Sequence, residues 1–218
     1  DLLASGQTGF AVAPALTWLT RLHGGLDASL ILGIQPGVFR LLVRRGSGIT
    51  RLDQLVGRHV AVTDQNAADK LFFAIMMRRK GINAMDGVNW KNLPATDVLD
   101  AANRKEIDAV VAHDPLTWQL LSQNGGLFSE LVSSNTGHYA DRVNLVLGVA
   151  NSALNADPDA ATAMALTLRD AAKRTNIHRD EAATLVADDT PGLSADSVLQ
   201  MLQSEPSIRP VSGRPFRE

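Results

Sequence analysis

The sequence predicts an α/β protein. Short runs of valine, isoleucine and leucine alternate with longer segments whose apolar residues recur at helical spacing, and glycine, proline, aspartate or asparagine stands at nearly every change between them. Strands alternating with helices imply largely parallel sheets. A third observation sets the last part of the chain apart: beyond about residue 150 the pattern is helical throughout.

The elements follow in order. Leu2, Leu3 and Ala4 read as the tail of a helix ending at Gly6, a natural C-cap. Gly9 to Ala13 is a strand, and Pro14 opens a helix through Trp18, Leu19 and Leu22 that Gly24-Gly25 breaks. Leu30–Ile34 and Val38–Val43 are strands separated by Gln35-Pro36-Gly37. Thr50–Leu55 is a short helix, His59–Thr63 a strand, and Asp64-Gln65-Asn66 can cap a helix from Ala67 to Arg79. Strands over Val88–Leu93 and Ile107–Ala112 enclose a helix over Asp97–Arg104, and Pro115 starts another through Trp118 and Leu121. Val143–Val149 is the last strand. Three helices follow: one capped by Asp157 with Pro158 in its first turn, one over Asp180–Val186, and one after Pro191-Gly192 capped by Ser194. Ile208–Glu218, with two prolines and a glycine, reads as extended or loose.

Composition narrows the function classes. The 218 residues, 45% hydrophobic, can bury one large core or two small ones. A net charge of -2 gives no electrostatic footprint for nucleic acid, and Arg78, Arg79 and Lys80 read as a solvated helix C-terminus. With no cysteine there is no disulfide, thiol nucleophile or thiolate metal site. No apolar run approaches the roughly 18 to 20 residues that span a bilayer. Asp1-Leu2-Leu3-Ala4 lacks the basic region and apolar core of an export signal, so any such signal is expected outside this sequence. His23, His59, His113, His138 and His178 are dispersed without an H-x-x-x-H pair, and no G-x-S-x-G elbow, P-loop or G-x-G-x-x-G fingerprint occurs. Neither a metal nor a cofactor is expected. Trp18, Trp90 and Trp118 read as core.

Four local segments carry a resemblance. Leu3-Ala4-Ser5-Gly6-Gln7 followed by Phe10–Ala13 is one, and Gly33–Gly37 followed by Leu41-Leu42-Val43 is another. The others are Gly48-Ile49 with Leu52–Val62, and Lys105–Ala109 with His113-Asp114-Pro115. In this order and spacing they resemble the substrate-binding proteins of nitrate/sulfonate/taurine-type ABC importers. Gln35-Pro36 and His113 depart from that pattern; His113 stands where tryptophan is common. The resemblance implies a periplasmic-binding-protein-like fold of type II, two α/β lobes with a ligand cleft, with the family's first strand and most of its first helix missing from this chain. It places residues 1–45 and 146–218 in one lobe and 46–145 in the other. It further implies a periplasmic monomer that hands its solute to an inner-membrane permease.

Ligands of open α/β sheets bind beyond the carboxyl ends of strands, where helix N-termini present free N–H groups to anions. Ala13-Pro14, Gln35-Pro36-Gly37, Thr63-Asp64-Gln65-Asn66-Ala67-Ala68 and His113-Asp114-Pro115 meet or adjoin that description and are the expected ligand-binding residues. Plainer readings stand beside them: Asn66 as a helix cap, Asp64 as a turn residue, His113 as a loop histidine, Tyr139 as packing. The expected function is capture of a small anion without chemistry. The alternatives are an enzyme of the same fold, of pyrimidine-precursor or menaquinone-pathway type, or the effector-sensing domain of a transcription regulator.

Overall fold

Gly6 stands where a helical turn must end. Its φ of 74° suits glycine, and the bonds Gln7 N to Leu2 O (2.9 Å) and Gly6 N to Leu3 O (3.2 Å) are the two of a Schellman turn, as the sequence led us to expect. In the computed structural model, which describes residues 2–122, 125–140, 142–190 and 192–213, the chain forms two α/β units. Unit 1 is Asp1–Pro36 with Arg142–Glu218, and unit 2 is Gly37–Asp141.

Unit 1 holds β1 (Phe10–Pro14), α1 (Ala15–His23) and β2 (Ala28–Gln35), then β8 (Leu145–Ala150), α6 (Asn151–Ala156), α7 (Pro158–Ile177), α8 (Arg179–Asp189) and α9 (Ala195–Ser204). Its sheet runs β1-β8-β2, with β8 antiparallel to both neighbours. Trp18 seals it. The indole Nε1–H donates to Val146 O (3.0 Å), and the ring packs against Gly148, where an added Cβ would meet Trp18 Cη2 at 2.4 Å. Leu3, Val146 and Ala150 complete this core. The helical remainder obeys its caps: Asp157 Oδ1 accepts from Ala160 N (2.9 Å) and Ser194 Oγ from Ser197 N (3.2 Å). The segment after α9 is tied down rather than loose as far as it is described. Asn176 and Ile208 exchange two hydrogen bonds, and Val211 pairs with Gly33 on β2. Arg214–Glu218 and Pro191 lie outside the described residues.

Unit 2 holds β3 (Phe39–Arg44), β4 (His59–Val62), α2 (Ala68–Arg78), α3 (Ala84–Gly87), β5 (Asn89–Asn92), α4 (Val98–Asn103), β6 (Ala109–His113), α5 (Leu116–Ser122) and β7 (Phe128–Ser133). The sheet order is β5-β4-β6-β3-β7. Val60-Ala61-Val62 and Ala109 to Ala112 are buried along their whole length, as central strands covered on both faces must be.

Four expectations need correction. The sheets are not largely parallel: only β4 with β5 and β4 with β6 pair in that sense. The rest are antiparallel, because β8 and β3 each insert between strands running the other way. β3, assigned from the sequence to the first unit, belongs to the second, since it is hydrogen-bonded between β6 and β7. Thr50–Leu55 contains only a 3₁₀ turn over Leu52–Leu55. Of the tryptophans, Trp18 is buried, whereas Trp90 and Trp118 are partly exposed. No described helix is long and apolar enough to cross a membrane.

Candidate functional site

In unit 2 the parallel strands β4 and β6 finish at the same end of the sheet, and the antiparallel β3 starts there, with Phe39 opposite His113. That topology gathers Gly37, Thr63, Asp64, Gln65, Asn66, Ala67, Ala68, His113, Asp114 and Pro115 along one end of one sheet. Gly37 has a φ of 67°, and its carbonyl accepts from Ser134 Oγ (3.2 Å), which in turn accepts from Phe39 N (2.9 Å).

The loop after β4 is built by Asp64. Its Oδ1 accepts from Asn66 N (2.8 Å) and its carbonyl from Ala67 N (3.1 Å), an Asx turn. Asn66 therefore does not cap α2: the turn points it to solvent, and Ala67 takes the N-cap position without a side-chain bond. Lys70 holds the loop from beneath. Its Nζ donates to Gln65 Oε1 (2.6 Å) and Gln65 O (3.2 Å) and lies over the Trp90 ring at 5.3 Å. Burial pushes the Lys70 amine below its usual range, against the pull of the Asp64 carboxylate. Lys70 N donates to Asp69 Oδ1 (2.6 Å) and Leu71 N to Ala67 O (3.2 Å), which leaves the Ala68 and Asp69 N–H groups as first-turn donors with no partner among the described residues.

His113 Nδ1 lies 3.1 Å from Asp69 Oδ2. The carboxylate is buried at 1% exposure, while 60% of the imidazole side chain is exposed. The hydrogen bond to Asp69 raises the imidazole above the ordinary histidine value; burial opposes this, and the charges of Asp69 and Asp114 add to it. Phe39 packs edge-on against the ring at 6.4 Å and on Phe72 at 5.7 Å, and Phe72 meets Tyr139 at 5.0 Å. Tyr139 OH accepts from Arg79 (2.8 Å), so this end of the basic cluster is engaged by an aromatic neighbour.

Asp114 is committed to structure. Its Oδ1 accepts from Thr117 Oγ1 and from Trp118 N (3.0 Å), capping α5, and its Oδ2 lies 3.3 Å from the Arg40 guanidinium, which also binds Glu130 (2.7 Å). The Asp114–Pro115 peptide is cis.

In unit 1, Pro14 and Gln35 both stand opposite Leu145, one on each side of β8. Ala13, Pro14, Gln35 and Pro36 thus share the end of that sheet. Main-chain bonds hold it: Ala15 N to Asn144 O (2.6 Å) and Asn144 N to Gln35 O (2.9 Å). Ala15, the first residue of α1, has therefore already given its N–H.

Sequence reasoning missed Asp69, Lys70, Phe39 and Phe72. An aspartate in a first helical turn reads as a complement to the helix dipole, and only the sheet register reveals its histidine. Among the described residues no three His, Asp or Glu side chains group as a metal site would require. A separate cavity of about 520 Å³ between α2 and α3, lined by Leu71, Ala74, Ile75, Ile82 and Met85 among others, contains none of the expected residues.

The fold recurs in solved structures. The periplasmic aliphatic sulphonate binding protein SsuA from Escherichia coli superposes with a TM-score of 0.83 at 18% identity, over 99% of this chain and 68% of that one. The alkanesulfonate-binding protein SsuA from Xanthomonas axonopodis pv. citri, bound to MOPS, gives 0.80 at 16% identity, over 96% and 71%. A Candida albicans gene product described as exhibiting the generic periplasmic binding protein structural fold gives 0.69 at 13%, over 95% and 66%. The likeness establishes that fold for this chain. No curated protein sequence matches it. The model of the NMT1-like family matches residues 49–188, more than half of the sequence, and the chain belongs to the NMT1-like family.

Proposed function

We propose that the chain is the solute-binding component of an ABC importer, a periplasmic monomer that binds a small anion without altering it and delivers it to a permease in the inner membrane. The observation that carries this reading is the end of the five-stranded sheet. There the first-turn N–H groups of α2, without a partner among the described residues, and the exposed imidazole of His113 stand together, joined by Asp69. Backbone donors at a helix start are suited to oxyanions. Two proteins of the same fold are named for sulphonate or alkanesulfonate binding, which makes an alkanesulfonate the first solute to try. In unit 1, Ala13, Pro14, Gln35 and Pro36, at the end of the sheet, are proposed as ligand-binding residues as well.

The test is titration calorimetry with butanesulfonate, butanoate and butylammonium, followed by mass spectrometry of the recovered solute. One anion is expected to bind per chain and to return unchanged. Stoichiometric conversion of the solute, or failure of both anions to bind, would overturn the proposal. Ala67→Glu sharpens it. A carboxylate at the start of α2 competes for the N–H groups, and losing one charge-assisted bond weakens binding by about ten- to a hundredfold. The same carboxylate favours the helix dipole, so the variant is expected to remain folded.

A further inference from the structure

We infer that Asp69 and His113 form a proton-operated anion receptor: the protonated pair donates Nε2–H to an anionic group of the solute, the deprotonated pair refuses it, and capture weakens as pH rises. This rests on the reading above and adds to it the condition under which the site takes its solute.

The geometry fixes which nitrogen faces outward. Asp69 cannot turn away, because it is buried and its second oxygen is held by Lys70 N at 2.6 Å. Phe39 closes another side of the imidazole, itself backed by Phe72. The ring therefore presents Nδ1 to Asp69 and leaves Nε2, which has no partner among the described residues, on the exposed edge.

Neutral histidine gives its one N–H to the carboxylate, so Nε2 offers a lone pair and the pair carries a charge of −1. Protonation neutralises the pair and turns Nε2 into a donor. An anion is thus repelled in the first state and hydrogen-bonded in the second. The other charges around the ring do not reverse this. From α2 come Asp69 and Lys70, whose Nζ is directed to Gln65. From β3 comes Arg40, engaged by Asp114 and, from β7, by Glu130. Asp114, next in sequence, favours the imidazolium.

Two measurements test the inference. Proton-detected titration of isotope-labelled histidines in the ligand-free protein, with His113→Gln to assign the signal, should put the His113 midpoint above that of ordinary histidine. Asp69→Asn should lower it. In the second, butanesulfonate affinity is followed by calorimetry from pH 5.5 to 8.5, roughly a unit or more either side of the ordinary histidine value. One linked proton makes affinity fall by up to about tenfold per pH unit above the midpoint. His113→Gln, which keeps an N–H donor but does not titrate, should bind with no slope. Asp69→Asn should shift the fall in affinity to lower pH, in step with its lowered midpoint; should that variant not fold, His113→Gln, altered at an exposed side chain, still decides the matter. Butanesulfonate binding with the same affinity across the range, or a slope that survives in His113→Gln, overturns the inference and leaves the proposed function standing. Failure of butanesulfonate and butanoate to bind at any pH overturns both.

Discussion

The ends of the two sheets are held by different means. In unit 1 the main chain does it: Asn144 bonds to Ala15 on one side and Gln35 on the other. In unit 2 side chains do it: Asp114 gathers Arg40, Thr117 and Trp118, Asp69 holds His113, and Lys70 props Gln65. A main-chain clamp sets shape and is nearly indifferent to pH. A side-chain clamp sets charge, and it depends on each ionised partner being present.

Substitutions can break this contrast, beginning with the largest effect. Asp114→Ala removes the α5 cap and one of the two carboxylates on Arg40, whose side chain is only 13% exposed and which then keeps Glu130 alone. A lost cap costs about 1 kcal/mol and a lost hydrogen bond to a charged group about 1.5 to 3 kcal/mol, so about 2 to 4 kcal/mol together. Urea unfolding should show that loss; a variant within 1 kcal/mol of the parent, roughly the worth of a surface ion pair, would mean that Asp114 does not organise this end.

Gly148→Ala attacks unit 1 instead. The new methyl would drive into the Trp18 indole, for an overpacking cost of about 1 to 3 kcal/mol. Trp18→Phe in the same chain should recover part of it, and an unchanged melting temperature in the single variant would argue that the indole does not lie on Gly148. Asp157→Ala and Ser194→Ala each delete one helix cap in unit 1 and should each cost about 1 kcal/mol. Because the two caps share no partner, the double variant should lose the sum.

The smallest effect is a pH dependence confined to unit 2. His113 titrates higher in the folded chain than an ordinary histidine. Its stabilising contribution is therefore complete below the unfolded-state value and disappears as pH rises through the folded-state value. The parent should lose a little stability over that interval and His113→Gln should not; parallel slopes in both proteins would remove Asp69 as the source.

How much of this was legible in the sequence depended on range. Asp157 and Ser194 cap helices through neighbours three residues away, and both were readable. β4 and β6 were readable because a strand buried on both faces has no polar member to interrupt it. β7 was not: at the edge of its sheet, Ser129 and Glu130 break the apolar run. The site split in the same way. The loops after β4 and β6 announced themselves by composition, and Asp64 made its local turn. Asp69 pairs with a histidine 44 residues on, and Arg40 with an aspartate 74 residues on. No local pattern encodes such partners, since the register of β3, β4 and β6 creates them.

The insertion of β8 between β1 and β2 also has a consequence in time. β1 and β2 pair with β8 and not with each other, so among the described strands neither has a partner until residues 145–150 have been brought back. Unit 2, one uninterrupted stretch of chain, needs nothing from outside its own span to complete its sheet. A condensed inner stretch would shorten the path between Pro36 and Arg142 and so lower the entropy lost when β8 joins β1 and β2.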